Sequence, residues 1–327
     1  MANLDLVNFE DIFSAVARQV KGDTADTETL NKIKESINRR YREIASRKKW
    51  KWLIENRRAL RLRQRYNTGT ISLTNGQRII TGVGTTFTAT HRRWWIKPTG
   101  DNPSYRVIAV PSATSILINT EHTEATLTGA AYTLYQSEVA LPPDLEDIDD
   151  VRIDGQTYSV EPRGPAFLNM LKQRYSTMTG KPKYYSIDDQ MYFSSPPLGQ
   201  FILGFDFLGE VLTKAMSVFP HIPDQDYTIH LRYKRKITAL VANADIPLIP
   251  EEHRHVLFDY VMSDWYFANR QDTTGRYYQG LGDKVMEEME ARYLDTDDYL
   301  QFKPMKTRSH SDRYLQRHSE SYFDSSD

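Results

Sequence analysis

Residues 69–88, GTISLTNGQRIITGVGTTFT, decide how this chain is divided. Ile71, Leu73, Ile79 and Ile80 flank Asn75-Gly76, a dipeptide that readily adopts the left-handed turn joining antiparallel strands. The spacing predicts a hairpin of two short strands. Strand-like runs continue at residues 94–98 (WWIKP), 105–110 (YRVIAV), 115–119 (SILIN) and 131–136 (AYTLYQ), separated by clusters of Gly, Pro, Ser and Asn. Short strands at this spacing, with no helical stripe among them, predict a small antiparallel barrel or sandwich over 66–136.

Upstream the period is helical. Phe9, Ile12, Phe13, Val16 and Val20 line a first helix. Asn8 is placed to cap it, with Asp11 at the third helical position and Val7 and Ile12 spaced as a hydrophobic staple. A second helix begins near Asp26 or Thr27, with Leu30, Ile33, Ile37, Tyr41 and Ile44 as its apolar stripe. Two such helices are too thin to fold alone. Their expected partners lie far along the chain. Pro250, Glu251 and Glu252 open a helix carrying Val256, Leu257, Tyr260, Val261 and Trp265. A last helix carries Tyr278, Leu281, Val285 and Met289.

Between these ends, residues 137–154 read as an acidic connector, with Pro142-Pro143 and five acids from Asp144 to Asp150. A short helix is expected over 164–175 on Phe167, Met170 and Leu171. Residues 181–197 (KPKYYSIDDQMYFSSPP) read as a hairpin turning at Asp188-Asp189, and 200–209 (QFILGFDFLG) as a further strand. In TIHLRYKRKI (228–237), Ile229, Leu231 and Tyr233 alternate with polar residues, as in a half-buried strand. The expected class is therefore α+β. A discontinuous helical bundle of N- and C-terminal helices (1–65 and 246–295) carries an inserted β module (66–136) and a second β-rich segment (137–245).

After about Asp295 the pattern stops. Residues 296–327 are Ser-rich, with Tyr299, Phe302, Tyr314, Leu315, Tyr322 and Phe323 as spaced anchors. The segment should not bury enough surface to fold alone. Two readings stand: a solvated tail, or an arm that orders on a partner. At roughly 3.3 Å per extended residue, an arm of this length would reach about 100 Å.

Charge is strongly segregated. Between Lys32 and Tyr66 there are 14 Lys or Arg against three acids, a balance of +11 within a chain of formal net charge −1. A basic and an acidic surface are expected, which suits a polyanion or packing against further copies of the chain. Arg39, Arg40, Arg47, Lys48, Lys49, Lys51, Arg57 and Arg58 are the candidate inter-subunit or DNA-facing residues. RKKWKW interleaves cations with indoles, as nucleic-acid surfaces do, but the indoles equally suit the cap of a bundle. Without a sequence-reading motif, any DNA contact would be non-specific attraction to phosphate.

Catalytic, cofactor and metal signatures are weak. Cysteine is absent, which removes disulfides and thiolate chemistry. His253 and His255, two apart on an expected helix, point in different directions and make a poor metal pair. GVGTTFT lacks the Lys-Ser/Thr of a phosphate loop, so turn glycines are the better reading. The pairs Asp149-Asp150, Asp188-Asp189 and Asp297-Asp298 fall in turn-like or connector segments. A Ser/His/Asp triad is a spatial matter that sequence order does not reveal. The N-terminus, MANLDLVNFEDIF, shows no secretion signal, and no run approaches the roughly 18 apolar residues of a membrane span. No enzyme, no cofactor, no metal and no membrane are expected.

The order of the pieces resembles a known family. RKKWKWLIENR (47–57), the GKPKYY hairpin starting at Gly180, the strand ending RYKRK and ADIPLIPEEHRHVLFDYVMSDWYFA (244–268) are together similar to head-to-tail adaptor (connector) proteins of short-tailed phages. Residues 69–88 with 112–136 resemble a β module common in phage structural proteins. The resemblance spans most of residues 5–295. It implies a virion protein assembled in the bacterial host cytoplasm and forming a ring of twelve copies beneath the portal protein. DNA would pass through the ring, tail nozzle and fibre proteins would dock below, and the C-terminal arm would bind the portal. The alternative of another class is a carbohydrate-binding or glycan-cleaving tail protein using the aromatic β module as a sugar platform. A weaker third reading is a DNA-binding protein acting alone.

Overall fold

The computed structural model describes residues 6–21, 26–188 and 214–294. The chain is mixed α+β. Its first helices are α1 (Phe9–Lys21) and α2 (Thr27–Arg47). Asn8 caps α1 by accepting from the Asp11 amide at 2.9 Å, and Asp11 returns the bond by accepting from the Asn8 amide at 3.1 Å. The staple differs from expectation. Leu6, rather than Val7, enters the core, because Arg254 draws the Val7 carbonyl into a 2.7 Å hydrogen bond and the Val7 side chain turns outward. Asp26 caps α2 through the Thr29 amide at 2.7 Å.

After α2 a tight turn at Lys51–Leu53 leads into strand β1 (Ile54–Leu62), not further helix. By sequence alone, residues 54–65 group with the helical part. The β-sheet wins because Leu60 and Leu62 fall on one face of an extended chain and pack beside Ile229 and Tyr227.

The inserted module begins with β2 (Thr70–Leu73) and β3 (Ile79–Val83) and continues with β4 (Trp95–Pro98), β5 (Tyr105–Ser112), β6 (Ser115–Ile118), β7 (Leu127–Ala130) and β8 (Tyr132–Tyr135). They form an antiparallel sheet in the order β7-β2-β3-β6-β5-β4-β8. Tyr66 bridges Leu134 at the β8 end while Ile71 pairs with Ala130 at the β7 end, so the segment 66–73 curls the sheet round its own core. The expected hairpin is present. Leu73 pairs with Ile80, so its loop is longer than two residues, and Gly76 adopts φ +78° while its amide donates to the His122 carbonyl at 2.7 Å. At Gly69, φ is +84° and a Cβ would stand 2.4 Å from the Val83 carbonyl oxygen, so only glycine fits this crossing without a shift.

The second β-rich segment holds β9 (Glu138–Ala140), β10 (Leu145–Ile153), β11 (Glu161–Pro162), helix α3 (Pro165–Arg174), β12 (Tyr184–Asp188), β13 (Ala215–Phe219) and β14 (Tyr227–Arg235). Two sheets, β1-β14-β10 and β11-β12-β13-β9, share one apolar core. The acidic stretch 144–150 is thus largely a strand. Its Leu145, Val151 and Ile153 point inward, and its acids and two prolines had masked that alternation. In α3 the buried residue is Leu168, while Phe167 and Met170 are exposed. The strand β12 pairs with β13, and the remainder of the expected hairpin and the strand at 200–209 lie outside the described residues.

Helices α4 (His255–Ala268) and α5 (Asp272–Tyr293) close the described chain and share a single apolar core with α1 and α2. The intervening segment is stitched to the N-terminal helices. The Asn38 amide donates to the Leu240 carbonyl at 2.9 Å and accepts from the Leu240 amide at 2.8 Å. The Tyr41 hydroxyl accepts from the Leu248 amide at 2.7 Å. Trp50 is fully buried, donating its indole N–H to the Ile44 carbonyl at 2.7 Å. The indole therefore belongs to the core.

Candidate functional site

The basic stretch divides into two parts with different surroundings. On α2, Arg39, Arg40 and Arg47 find acids within the chain, as do Lys48 and Lys49 just beyond its end. Arg40 holds Asp264 of α4 through Nε at 2.8 Å and through Nη2, and Glu43 through Nη1 at 2.7 Å. Arg39 reaches the same Asp264 at 2.8 Å, and Arg47 pairs with Glu43 at 2.6 Å. Arg40 and Arg47 also lie 5.3 and 5.6 Å from the ring centre of Tyr260, whose hydroxyl donates to Asp283 of α5 at 2.8 Å. Burial would raise the Asp264 carboxyl, but hydrogen bonds from Arg40 and Arg39 outweigh it and hold the group below the usual carboxylate range. Lys48 stands 3.8 Å from Glu290 and Lys49 2.8 Å from Asp149 of β10. These five cations therefore join secondary elements of one chain.

From Lys51 onward the situation changes. Lys51, Arg57, Arg58, Arg63 and Arg65 are exposed and have no ion pair among the described residues. Arg57 and Arg58 sit on β1, an outer strand of its sheet. The middle strand, β14, turns Tyr227, Ile229, Leu231 and Tyr233 inward and leaves His230, Arg232 and Lys234 on the opposite face. The other outer strand, β10, carries Glu146, Asp147, Asp149 and Asp150. It answers β14 directly: Lys234 meets Glu146 at 3.1 Å, His230 meets Asp154 at 2.6 Å, and Asp150 stands opposite Arg232. The three-stranded sheet is basic along β1 and acidic along the first half of β10.

This polarity was only half legible in the sequence. The basic run was plain. In sequence the acidic strand has the composition of a connector, and the cations of β14 show only as the polar half of an alternation. The arm residues Tyr299, Phe302, Tyr314, Leu315, Tyr322 and Phe323 lie outside the described residues, as do Asp189 and Asp297-Asp298. Asp149-Asp150 is in a strand, with Asp149 committed to Lys49 and Asp150 to Arg152.

Other polar clusters are internal to the fold. In the curled sheet the Tyr105 hydroxyl donates to Asp101 at 3.0 Å and lies 2.9 Å from His122 Nδ1, while His122 Nε2 is 2.9 Å from the Ala125 carbonyl. The His122 and Asp101 side chains are sealed from solvent, so the cluster pins loops and offers no access to a substrate. His253 and His255 have ring centres 6.4 Å apart, with His253 buried against Tyr293. Among the described residues no three His, Asp or Glu side chains converge as a metal site, and no helix is long and apolar enough to cross a membrane.

Residues 105–308 match the family model described as SU10 adaptor protein. The match begins at the first residue of β5, so α1, α2 and β1 to β4 precede it, and it takes in the acidic strand, the second β-rich segment, α4 and α5. No curated protein matches the chain.

Proposed function

The chain belongs to the SU10 adaptor protein family of phage head-tail adaptors, and on that premise we propose that it is a structural virion protein acting at the head-to-tail junction. Copies form a ring of twelve under the portal protein, extend the DNA channel and give the tail nozzle and fibre proteins their docking platform. The observation that carries this reading is the family match, which runs through most of the β-rich half and both C-terminal helices. The N- and C-terminal helices, sharing one core, supply a rigid body from which the β modules are looped out. The segregated charge suits neighbours in a closed cyclic assembly. Five cations of the basic stretch are paired with four acids of the same chain, Asp264, Glu43, Glu290 and Asp149, which lessens the positive charge available to retard passing DNA. The residues after 295 serve as the arm that binds the portal.

The test is the mass of the purified full chain, alone and mixed with the portal of the same phage. A portal-plus-ring complex of defined stoichiometry is expected, and removal of residues 296–327 is expected to abolish portal binding while the core stays folded. A chain that remains monomeric in both conditions and cleaves or retains polysaccharide would replace this reading with the glycan-directed one.

A further inference from the structure

We infer that β1 of one copy pairs with β10 of the next, so that the three-stranded sheets join head to tail around the assembly. This rests on the ring reading above and names the surfaces that would make the ring.

Both strands are outer strands, and both keep unpaired backbone. In the sheet β1-β14-β10, each has β14 on one side only. Along Glu55–Arg61 no backbone group bonds to another element on the outer side among the described residues. On β10 the outer side of Val151 and Arg152 is covered, since Val160 donates to the Val151 carbonyl at 2.7 Å and Arg152 bridges Ser159. Along the acidic half, Glu146–Asp150, no other element bonds to the outer side among the described residues, although the Ile148 amide is taken by the Asp147 side chain at 3.0 Å and the ladder to β14 is bulged there. Open strand edges are templates for pairing, and proteins commonly block them with charge. Blocking alone accounts poorly for the pattern here. Two edges carrying the same sign would repel in every combination. These edges carry opposite signs: Arg57 and Arg58 on β1, beside Arg61 that pairs with Asp226, and Asp147 on β10, beside Glu146 and Asp150 that meet Lys234 and Arg152.

Opposite signs choose among assemblies. A two-fold contact would set β1 against β1 or β10 against β10, and like charges oppose both. Setting β1 against β10 is the one combination that attracts, and repeating it generates a ring or a filament rather than a dimer. Strand direction agrees. Both β1 and β10 run antiparallel to β14, so they run parallel to each other. Copies related by rotation would extend the sheet with one added parallel pair per contact. Arg57 and Arg58, which have no ion pair of their own among the described residues, would find acids on the neighbouring strand.

The experiment is a charge swap in the full chain, read as mass in solution. One variant carries Arg57→Glu with Arg58→Glu, the other Glu146→Lys with Asp147→Lys, and circular dichroism checks that each is folded. Each variant alone is expected to lose self-association by about tenfold or more, since like charges then face each other across the contact. An equal mixture is expected to recover it, because every contact can then join opposite signs. Loss that is not recovered on mixing overturns the pairing, as does undiminished assembly of the variants, and both leave the ring itself standing. A wild-type chain that stays monomeric, with and without portal, overturns ring and pairing together. If Arg57→Glu with Arg58→Glu removes binding to double-stranded DNA while assembly is unchanged, β1 is a phosphate-facing surface and the pairing is wrong.

Discussion

Arg40 on α2 clasps both carboxylate oxygens of Asp264 on α4, across 224 residues of sequence. The pair is only about one-fifth exposed on each side, with side-chain values of 22% and 19%. It therefore escapes most of the screening that makes surface ion pairs weak. Asp264→Ala leaves Arg40 partly buried with Glu43 alone and is expected to cost about 2–3 kcal/mol, below the range for fully buried pairs. The carboxyl is held below its unfolded value, so the contribution is present above about pH 4 and is lost as pH falls through the folded value. Urea unfolding of the variant at neutral pH checks it; an unchanged midpoint would mean that the pair contributes nothing net.

Asp259 has the opposite sense. Burial alone pushes its carboxyl up to about 6, and no ion pair among the described residues offsets the cost. A raised carboxylate binds protons in the folded state that the unfolded chain has lost, so stability falls as pH rises from about 4 to about 6. Asp259→Asn removes the buried charge and is expected to stabilise the protein at pH 7 by on the order of 2 kcal/mol, with little effect near pH 4. Urea midpoints at the two pH values decide it, and equal shifts at both would sink the electrostatic explanation.

His91 makes the curled sheet sensitive to acid. Burial, with a smaller effect from Arg63, lowers its ring to about 4, and its Nδ1 accepts from the Thr88 amide at 3.1 Å. The unfolded chain takes up the proton first as pH drops below about 6.5, so stability is lost between there and about 4. His91→Gln keeps a side-chain acceptor without the titration. It is expected to flatten the pH dependence of tryptophan fluorescence unfolding in this range; an unaltered slope would place the acid sensitivity elsewhere.

Trp50 combines full burial with one buried hydrogen bond to the Ile44 carbonyl. Trp50→Phe keeps most of the apolar volume and loses the donor, for an expected cost of about 1–2 kcal/mol. Trp50→Ala adds a cavity and is expected to cost about 3–5 kcal/mol. Equal costs for the two variants would show that packing around the indole matters little.

Gly69→Ala is a backbone test of the curled sheet. With φ at +84° and a Cβ 2.4 Å from a backbone oxygen, the substitution forces β2 and β3 apart near Val83. A loss of about 2 kcal/mol or more is expected by thermal unfolding. The control is Gly100→Ala, also at positive φ but in open space, which should cost less.

Periodicity alone placed α1, α2, α3, α4 and α5 and most strands of the curled sheet, because each has a regular apolar spacing with a cap or turn at its end. It missed β1, β7, β9, β10, β11 and β13. In β1 and β10 charged side chains dominate the exposed face, and the few inward residues are too sparse to announce a strand without their neighbours. Val7 and Phe167 show the same limit. Each has the spacing of a core residue, yet tertiary contacts turn it outward.

Hydrophobic period and net charge are local sums over neighbouring residues, so the sequence by itself determined the α+β class, the β character of the module after Tyr66 and the concentration of cations between Lys32 and Tyr66, but not that strand already begins at Ile54. Which cations are spent inside the fold is set by contacts between residues far apart in the chain. Only the tertiary structure could show Arg40 against Asp264, Lys49 against Asp149, and Arg57 and Arg58 left on an outer strand. It also decided that the acids of Glu146–Asp150 form the opposite outer strand, because strand order is fixed by burial of the shared apolar face, which no stretch of sequence can satisfy alone.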